Sequence, residues 1–184
     1  MAPIVLLDSL EKVWRILGEV PCEKAIAGGL ALSYWGYPRS TRDIDIAVLL
    51  ANDSDYASLE SQLCKSGLTQ SVKHFVKDLG FVRISQWILD VPDALIEIHV
   101  DLLLGDSEFF RNAMSRSIEC ELVGTAVSSI RVLSCEDLIL FKACSGRLID
   151  LADIQELRER NQSTLDQTYL VAWSKKLGVQ IPDS

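Results

Sequence analysis

The 184-residue chain contains no run of about 18 apolar residues, so no segment reads as a membrane-spanning helix. Its opening, Met1 to Asp8, has no basic stretch ahead of a short apolar run, which argues against a secretory leader. Five cysteines (Cys22, Cys64, Cys120, Cys135, Cys144) are odd in number and contain no Cys-x-x-Cys pair. That argues against a disulfide framework and a structural zinc site, and fits a reducing cytoplasm. Internal repeats and low-complexity tracts are absent. Basic residues are outnumbered, 18 Lys and Arg against 26 Asp and Glu, for a net charge of −8. Such a chain has no general attraction for nucleic acid or anionic membrane. One local exception is 65–83, where Lys65, Lys73, Lys77 and Arg83 surround a single acid, Asp78. It reads either as a solvated helix-and-loop face or as a patch that meets RNA.

What is present suffices for a folded core, since 48% of the residues are hydrophobic at a length that buries most of its unfolded surface. Asp8 and Glu11 have capping-box spacing ahead of the stripe Leu10, Val13, Trp14 and Leu17, which predicts a helix over 9–18. Strands are expected at 23–27, 44–50, 81–88, 95–103, 118–123 and 129–133, with a turn around Asp90, Pro92 and Asp93 and another at Gly124. Helices are expected at 30–35, 53–65 and 108–114. From the capping pair Ser134 and Asp137 onward the period becomes helical, over 135–144, 148–159 and 164–177. This predicts an α+β fold: a mixed β-sheet flanked by helices, followed by a C-terminal helical segment. Residues 1–133 form the core, and 134–184 a helical segment packed on it as one unit.

Asp43-Ile44-Asp45-Ile46 carries the strongest local signal. On a strand, alternate side chains share a face, so Asp43 and Asp45 project together while Ile44, Ile46 and Val48 point into the core. Two carboxylates so spaced can grip a divalent cation, or can simply be solvated at a strand start. A second strand alternates just as cleanly: Glu97, His99 and Asp101 share one face, and Ile96, Ile98, Val100 and Leu102 the other. If the two strands pair, Asp43, Asp45 and Asp101 converge. Two carboxylates 4 Å apart repel by roughly 4 kcal/mol at an effective dielectric near 20, so three need protons or a cation to offset the cost. Magnesium favours a few carboxylates together with phosphate oxygens. His99 is open to two readings, a base or ligand and a hydrogen-bonded sheet histidine; His74 reads as a surface residue.

Two helices hold charges among apolar residues. In Leu138 to Cys144 the only charge is Lys142, and helical phase sets it between Leu138 and Ile139. It either snorkels to the surface or is directed inward. In the next helix Asp150 falls between Ile154 and Leu157, with Asp153 beside it. A partly buried Asp needs a partner, and Lys142 and Arg147 are the nearest candidates.

Ala27-Gly28-Gly29 ends the first strand and opens a helix, and thirteen residues later comes Asp43-Ile44-Asp45. This order resembles the signature of the DNA polymerase β-type nucleotidyltransferase superfamily. The stretches RSTRDIDIAVL (39–49) and SCEDLILFKACSGRLIDLADIQEL (134–157) resemble its minimal, AbiEii-type branch, many members of which are toxin components of toxin–antitoxin or phage-defence pairs. The resemblance covers roughly 20–160 and departs at Gly29, where the superfamily often has Ser.

It implies a Mg²⁺- or Mn²⁺-dependent enzyme that moves an NMP group from an NTP to a hydroxyl on RNA, protein or a small molecule. A cognate antitoxin would be its partner if the toxin likeness holds. Asp43, Asp45 and Asp101 would hold metal, and Asp101 would activate the acceptor. Gly28, Gly29, Lys142, Arg147 and Asp150 would serve the nucleotide. Arg42, like Arg39, would touch phosphate or acceptor, or lie on the surface. Two further readings stay open: an antibiotic-modifying enzyme of the aminoglycoside type, and an inactive nucleotidyltransferase fold used for binding.

Overall fold

The computed structural model describes residues 2–50, 52–71, 76–78, 82–91, 96–122 and 126–182. In chain order its elements are α1 (Ala2–Gly18), β1 (Glu23–Ile26), α2 (Gly28–Tyr34), β2 (Asp43–Leu49), α3 (Asp53–Lys65), β3 (Leu68–Gln70), β4 (Val76–Asp78), β5 (Arg83–Val91) and β6 (Ile96–Gly105). Then follow α4 (Glu108–Arg116), β7 (Ile118–Cys120), β8 (Ile130–Val132), α5 (Cys135–Ser145), α6 (Leu148–Asn161) and α7 (Gln167–Leu177). The strands form one mixed sheet in the order β3-β5-β6-β2-β1-β8-β7, with β4 also paired to β5. β2 runs parallel to β6 and β1 parallel to β8, and the other pairs are antiparallel. The architecture is α+β, a mixed sheet flanked by helices with a helical C-terminal segment.

Alternation decides the two faces of the sheet. On β5, Ser85, Trp87 and Leu89 are buried while Ile84, Gln86 and Ile88 are partly exposed; on β6, Ile98, Val100, Leu102 and Leu104 are buried while Glu97 and His99 are exposed. The buried face receives α3, whose Tyr56 hydroxyl lies 3.4 Å from Ser85 Oγ. Leu10, Val13 and Leu17 of α1 are buried as their spacing predicts. The opposite face carries the predicted carboxylates.

Several expectations need correction. α1 begins at Ala2, seven residues before the predicted start, so Asp8 and Glu11 lie inside it. Pro3 is tolerated in a first turn, where its missing N–H has no partner to lose, and an i, i+3 Asp–Glu spacing also occurs within helices. β5 continues through Asp90, which pairs in register with Glu97, so the strand pattern overrides the turn chemistry there; Pro92 and Asp93 lie outside the described residues. The stretch 65–83 contains β3 and β4 along the outer edge of β5 rather than a helix-and-loop face. Three-residue strands carry too little alternation to register as a period. Lys73 and His74 lie outside the described residues, as does Gly124. All five cysteines are free. Among the described residues no helix is long and apolar enough to cross a membrane.

Candidate active site

β2 pairs in parallel with β6 so that Asp45 stands opposite Asp101 and Asp43 opposite His99. Neighbouring strands lie about 4.8 Å apart, so Asp45 and Asp101 are adjacent on one sheet face with Asp43 one pleat away. From the other side, β5 sets Gln86 opposite Asp101. The Gln86 amide donates to both carboxylate oxygens, at 3.1 and 3.4 Å, and fixes the Asp101 rotamer.

The glycine pair abuts these acids. Ala27 N–H donates to the Asp45 carbonyl at 2.9 Å, which holds the end of β1 against β2. Gly28 has φ +53°, and a Cβ there would lie 1.8 Å from Asp45 Oδ2, so conformation and space both require glycine. Gly29 donates its N–H to the Asp45 carboxylate. A Cβ on Gly29 would lie 2.7 Å from the Thr41 side chain, so the second glycine makes room for the connection that leads into β2. The Ser33 hydroxyl, one turn further along α2, donates to the Gly29 carbonyl at 3.1 Å.

Burial raises the Asp45 carboxyl to about 6, helped by Asp101 and Asp43 and opposed by the Gly29 N–H and Lys142. Burial also raises Asp101; Gln86 opposes the shift and Asp43 adds to it. Both shifts arise because charge is gathered where water is scarce.

α5 and α6 form the facing wall. Lys142 is buried, and its Nζ lies 3.0 Å from Asp150 Oδ1 and 2.6 Å from Asp153 Oδ2. Arg147 grips Asp150 from the other side, with Nε 2.7 Å from Oδ2, while its side chain stays 69% exposed. For Asp150, burial pushes upward, but the hydrogen bonds from Arg147 and Lys142 win and hold it below the ordinary carboxylate range. Asp153 also faces Arg39, whose Nε lies 3.4 Å away.

Gly28, Asp45, Asp101, Lys142, Arg147 and Asp150 line one cleft of about 160 Å³, with an apolar end made by Ile84, Leu103 and Phe141. Asp43 is exposed at the end of the same carboxylate row. Arg42 is exposed and does not line the cleft. Lys142 does not reach for solvent; two carboxylates take up its ammonium, and Arg147 is the exposed cation. Sequence reasoning did not single out Gln86, although a lone amide on the Ile84–Ile88 face of a predicted strand was a visible signal. Nothing local marked Arg39 over Arg42.

The donor set suits a hard divalent cation, since the three acids supply only carboxylate oxygens. Among the described residues no three His, Cys, Asp or Glu side chains are already gathered at metal-holding distance. Asp45 is turned onto the glycine pair instead, so binding would require its carboxylate to turn toward Asp101 and Asp43.

No family model matches the chain, and no curated protein matches it. Solved structures do. An antigenic nucleotidyltransferase-like protein from Paracoccidioides brasiliensis is 21% identical over 97% of this chain and 95% of its own, with a TM-score of 0.54. The antibiotic-resistance factor ANT(2″)-Ia, solved in complex with adenylyl-2″-tobramycin, is 15% identical over 94% and 96%, with a TM-score of 0.56. A nucleotidyltransferase from H. pylori, so named on a provisional basis, is 19% identical over 94% and 76%, with a TM-score of 0.54. At such identities the likeness is one of fold. The chain has a nucleotidyltransferase fold.

Proposed function

We propose that this protein is a divalent-metal-dependent nucleotidyltransferase that moves an NMP group from an NTP to a hydroxyl acceptor. The observation that carries the proposal is the Asp45–Asp101 pair: two carboxylates opposite each other on parallel strands, both raised by burial, facing an exposed Arg147 across a cleft. On this reading Asp43, Asp45 and Asp101 would hold Mg²⁺ or Mn²⁺, which would supply charge neutralisation at the triphosphate. Arg147 and the Gly28–Gly29 backbone contact phosphate oxygens, and Asp150 and Lys142 hold Arg147 in place. Asp101, raised above an ordinary carboxylate and oriented by Gln86, takes the acceptor's proton. The acceptor oxygen bonds to the α-phosphorus, the bond to the bridging oxygen breaks, and pyrophosphate leaves. NTP use and the free thiols suit the cytoplasm.

One feature favours a cationic small molecule as acceptor, as in the antibiotic-modifying reading. Asp90 and Glu97 stand opposite each other in register on the face that carries Asp43, Asp45 and Asp101. Among the described residues of β2, β5 and β6, this face has no Lys or Arg. Such a surface attracts polyamines and repels RNA. The solved neighbour ANT(2″)-Ia was captured with an adenylylated aminoglycoside, tobramycin.

The test is incubation with labelled NTPs and Mg²⁺ or Mn²⁺, offering in parallel a panel of hydroxylated polyamines, total RNA and cell lysate. We expect label in the polyamine fraction, loss of transfer without metal, and loss in Asp43→Asn and Asp45→Asn. Label in RNA or protein would replace the cationic acceptor with the toxin–antitoxin reading and its cognate antitoxin. Metal-dependent NTP binding with no labelled acceptor would leave only a binding fold.

A further inference from the structure

α6 lies along the irregular connection between α2 and β2 and touches it at three levels. Near its C-terminal end, Asn161 Nδ2 donates to the Trp35 carbonyl at 3.1 Å. One residue earlier, the Arg160 guanidinium stands 5.4 Å from the centre of the Tyr37 ring. Two turns earlier, buried Asp153 faces Arg39 Nε at 3.4 Å. The order is antiparallel: 161, 160 and 153 on the helix meet 35, 37 and 39 on the connection. Only the last contact is a charge pair, between buried Asp153 and a partly exposed arginine. The other Asp153 oxygen holds Lys142 Nζ at 2.6 Å, so this carboxylate joins α6, α5 and the connection.

Both ends of this arrangement lead to the site. Arg147, the cap of α6, and Asp150 in its first turn line the cleft, and the connection ends at Asp43, at the end of the carboxylate row. Between Arg39 and Asp43 the connection is pinned again, because Thr41 packs against Gly29 and its Oγ1 accepts from the Asp43 N–H at 3.4 Å. We infer that Asp153 is a positioning residue for transfer: through Arg39 it sets the carboxylates of β2 at a fixed distance from the phosphate-facing start of α6. Asp153 does not line the cleft, so it acts only through its partners. Among the described residues the buried Arg39 Nε meets no hydrogen-bond acceptor, so what ties the connection to Asp153 here is the ion pair itself. The inference rests on the nucleotidyl-transfer reading for its consequence, and on contacts alone for the strap.

The experiment compares wild type with Asp153→Asn, Arg39→Gln, the double variant and Arg39→Lys. With labelled NTP and the acceptor identified above, kcat should fall about ten- to a hundredfold in Asp153→Asn and Arg39→Gln, the loss expected when reacting groups shift by about 1 Å. KM for NTP should change by less than about threefold. The double variant should be no worse than Asp153→Asn, and Arg39→Lys should recover part of the rate. Hydrogen exchange at the backbone amides of 39–43 should quicken in both single variants. If wild type transfers no label to any acceptor, the nucleotidyl-transfer reading fails and exchange alone decides the strap. Unchanged kcat in both single variants of an active enzyme, or unchanged exchange, would overturn the inference. Should Asp153→Asn fail to fold, Arg39→Gln alters a partly exposed side chain and stands in for it.

Discussion

Asp45 packs against Gly28 with its carboxyl raised from 3.8 to about 6, first by burial and then by Asp101 and Asp43. The folded protein therefore binds this proton more tightly than the unfolded chain does. For this group, stability is greatest below pH 4, falls as pH rises from about 4 to about 6, and stays reduced above that by on the order of 3 kcal/mol. Asp45→Asn keeps an acceptor for the Gly29 N–H and removes the charge. Without divalent cations, the variant should melt several degrees above wild type at pH 7.5, and the gap should close toward pH 4. Added Mg²⁺ should raise the melting point of wild type more than that of the variant. Parallel melting profiles for the two proteins across this pH range would show that Asp45 bears no such cost.

Lys142 and Asp150 belong to the pairing of two helices. From the sequence, Asp150 is the heavier loss, because removing it strands a buried cation. In the fold Lys142 keeps Asp153 when Asp150 goes, and Arg147 is left in solvent. Removing Lys142 instead leaves two buried carboxylates facing one gap. Lys142→Met should therefore cost about 3–5 kcal/mol in urea unfolding, and Asp150→Asn roughly half as much. The reverse order would mean that Asp153 does not share the lysine. The same pair of helices shows what the sequence makes legible. Helical phase already set Lys142 and Asp150 among apolar residues, and the strand period already put Asp43 with Asp45 and Asp101 with His99, because both patterns tie a residue to a face. Which strand lies beside which, and how far α6 is rotated toward the α2–β2 connection, depend on contacts distant in sequence. That is why the bond from Gln86 to Asp101, the choice of Arg39 over Arg42 and the double role of Asp153 needed the fold. β3 and β4 were missed for a different reason: three residues are too few to show a period.

Across the whole molecule the question is whether 1–133 and 134–184 behave as one body. The contacts between them are both polar and apolar. Asp137 of α5 is fully buried and accepts from Tyr169 Oη of α7 at 2.6 Å and from Arg116 Nε of α4 at 3.3 Å, while Asn112 of α4 donates to the same Tyr169 oxygen at 2.6 Å. The Arg116 guanidinium lies 3.9 Å from the centre of the Tyr169 ring. Phe109 of α4 sits 5.1 Å from Phe141 and 5.4 Å from Trp173, ring centre to ring centre. On the far side, Asn161 and Asp153 of α6 reach the α2–β2 connection. A buried carboxylate whose donors come from both segments cannot lose one segment without leaving an unpaired charge, which is costly. We therefore expect 1–133 and 134–184 to unfold together. The test uses the tryptophans: Trp14, Trp35 and Trp87 report on the first segment and Trp173 on the second. Thermal unfolding followed by far-ultraviolet circular dichroism should coincide with unfolding followed by fluorescence, in wild type and in Trp173→Phe alike. Tyr169→Phe, which takes one donor from Asp137, should lower the stability of that single transition by about 1–3 kcal/mol. A Trp173 signal lost at lower temperature than the rest, or a second transition appearing in Tyr169→Phe, would divide the chain into two units at residue 134.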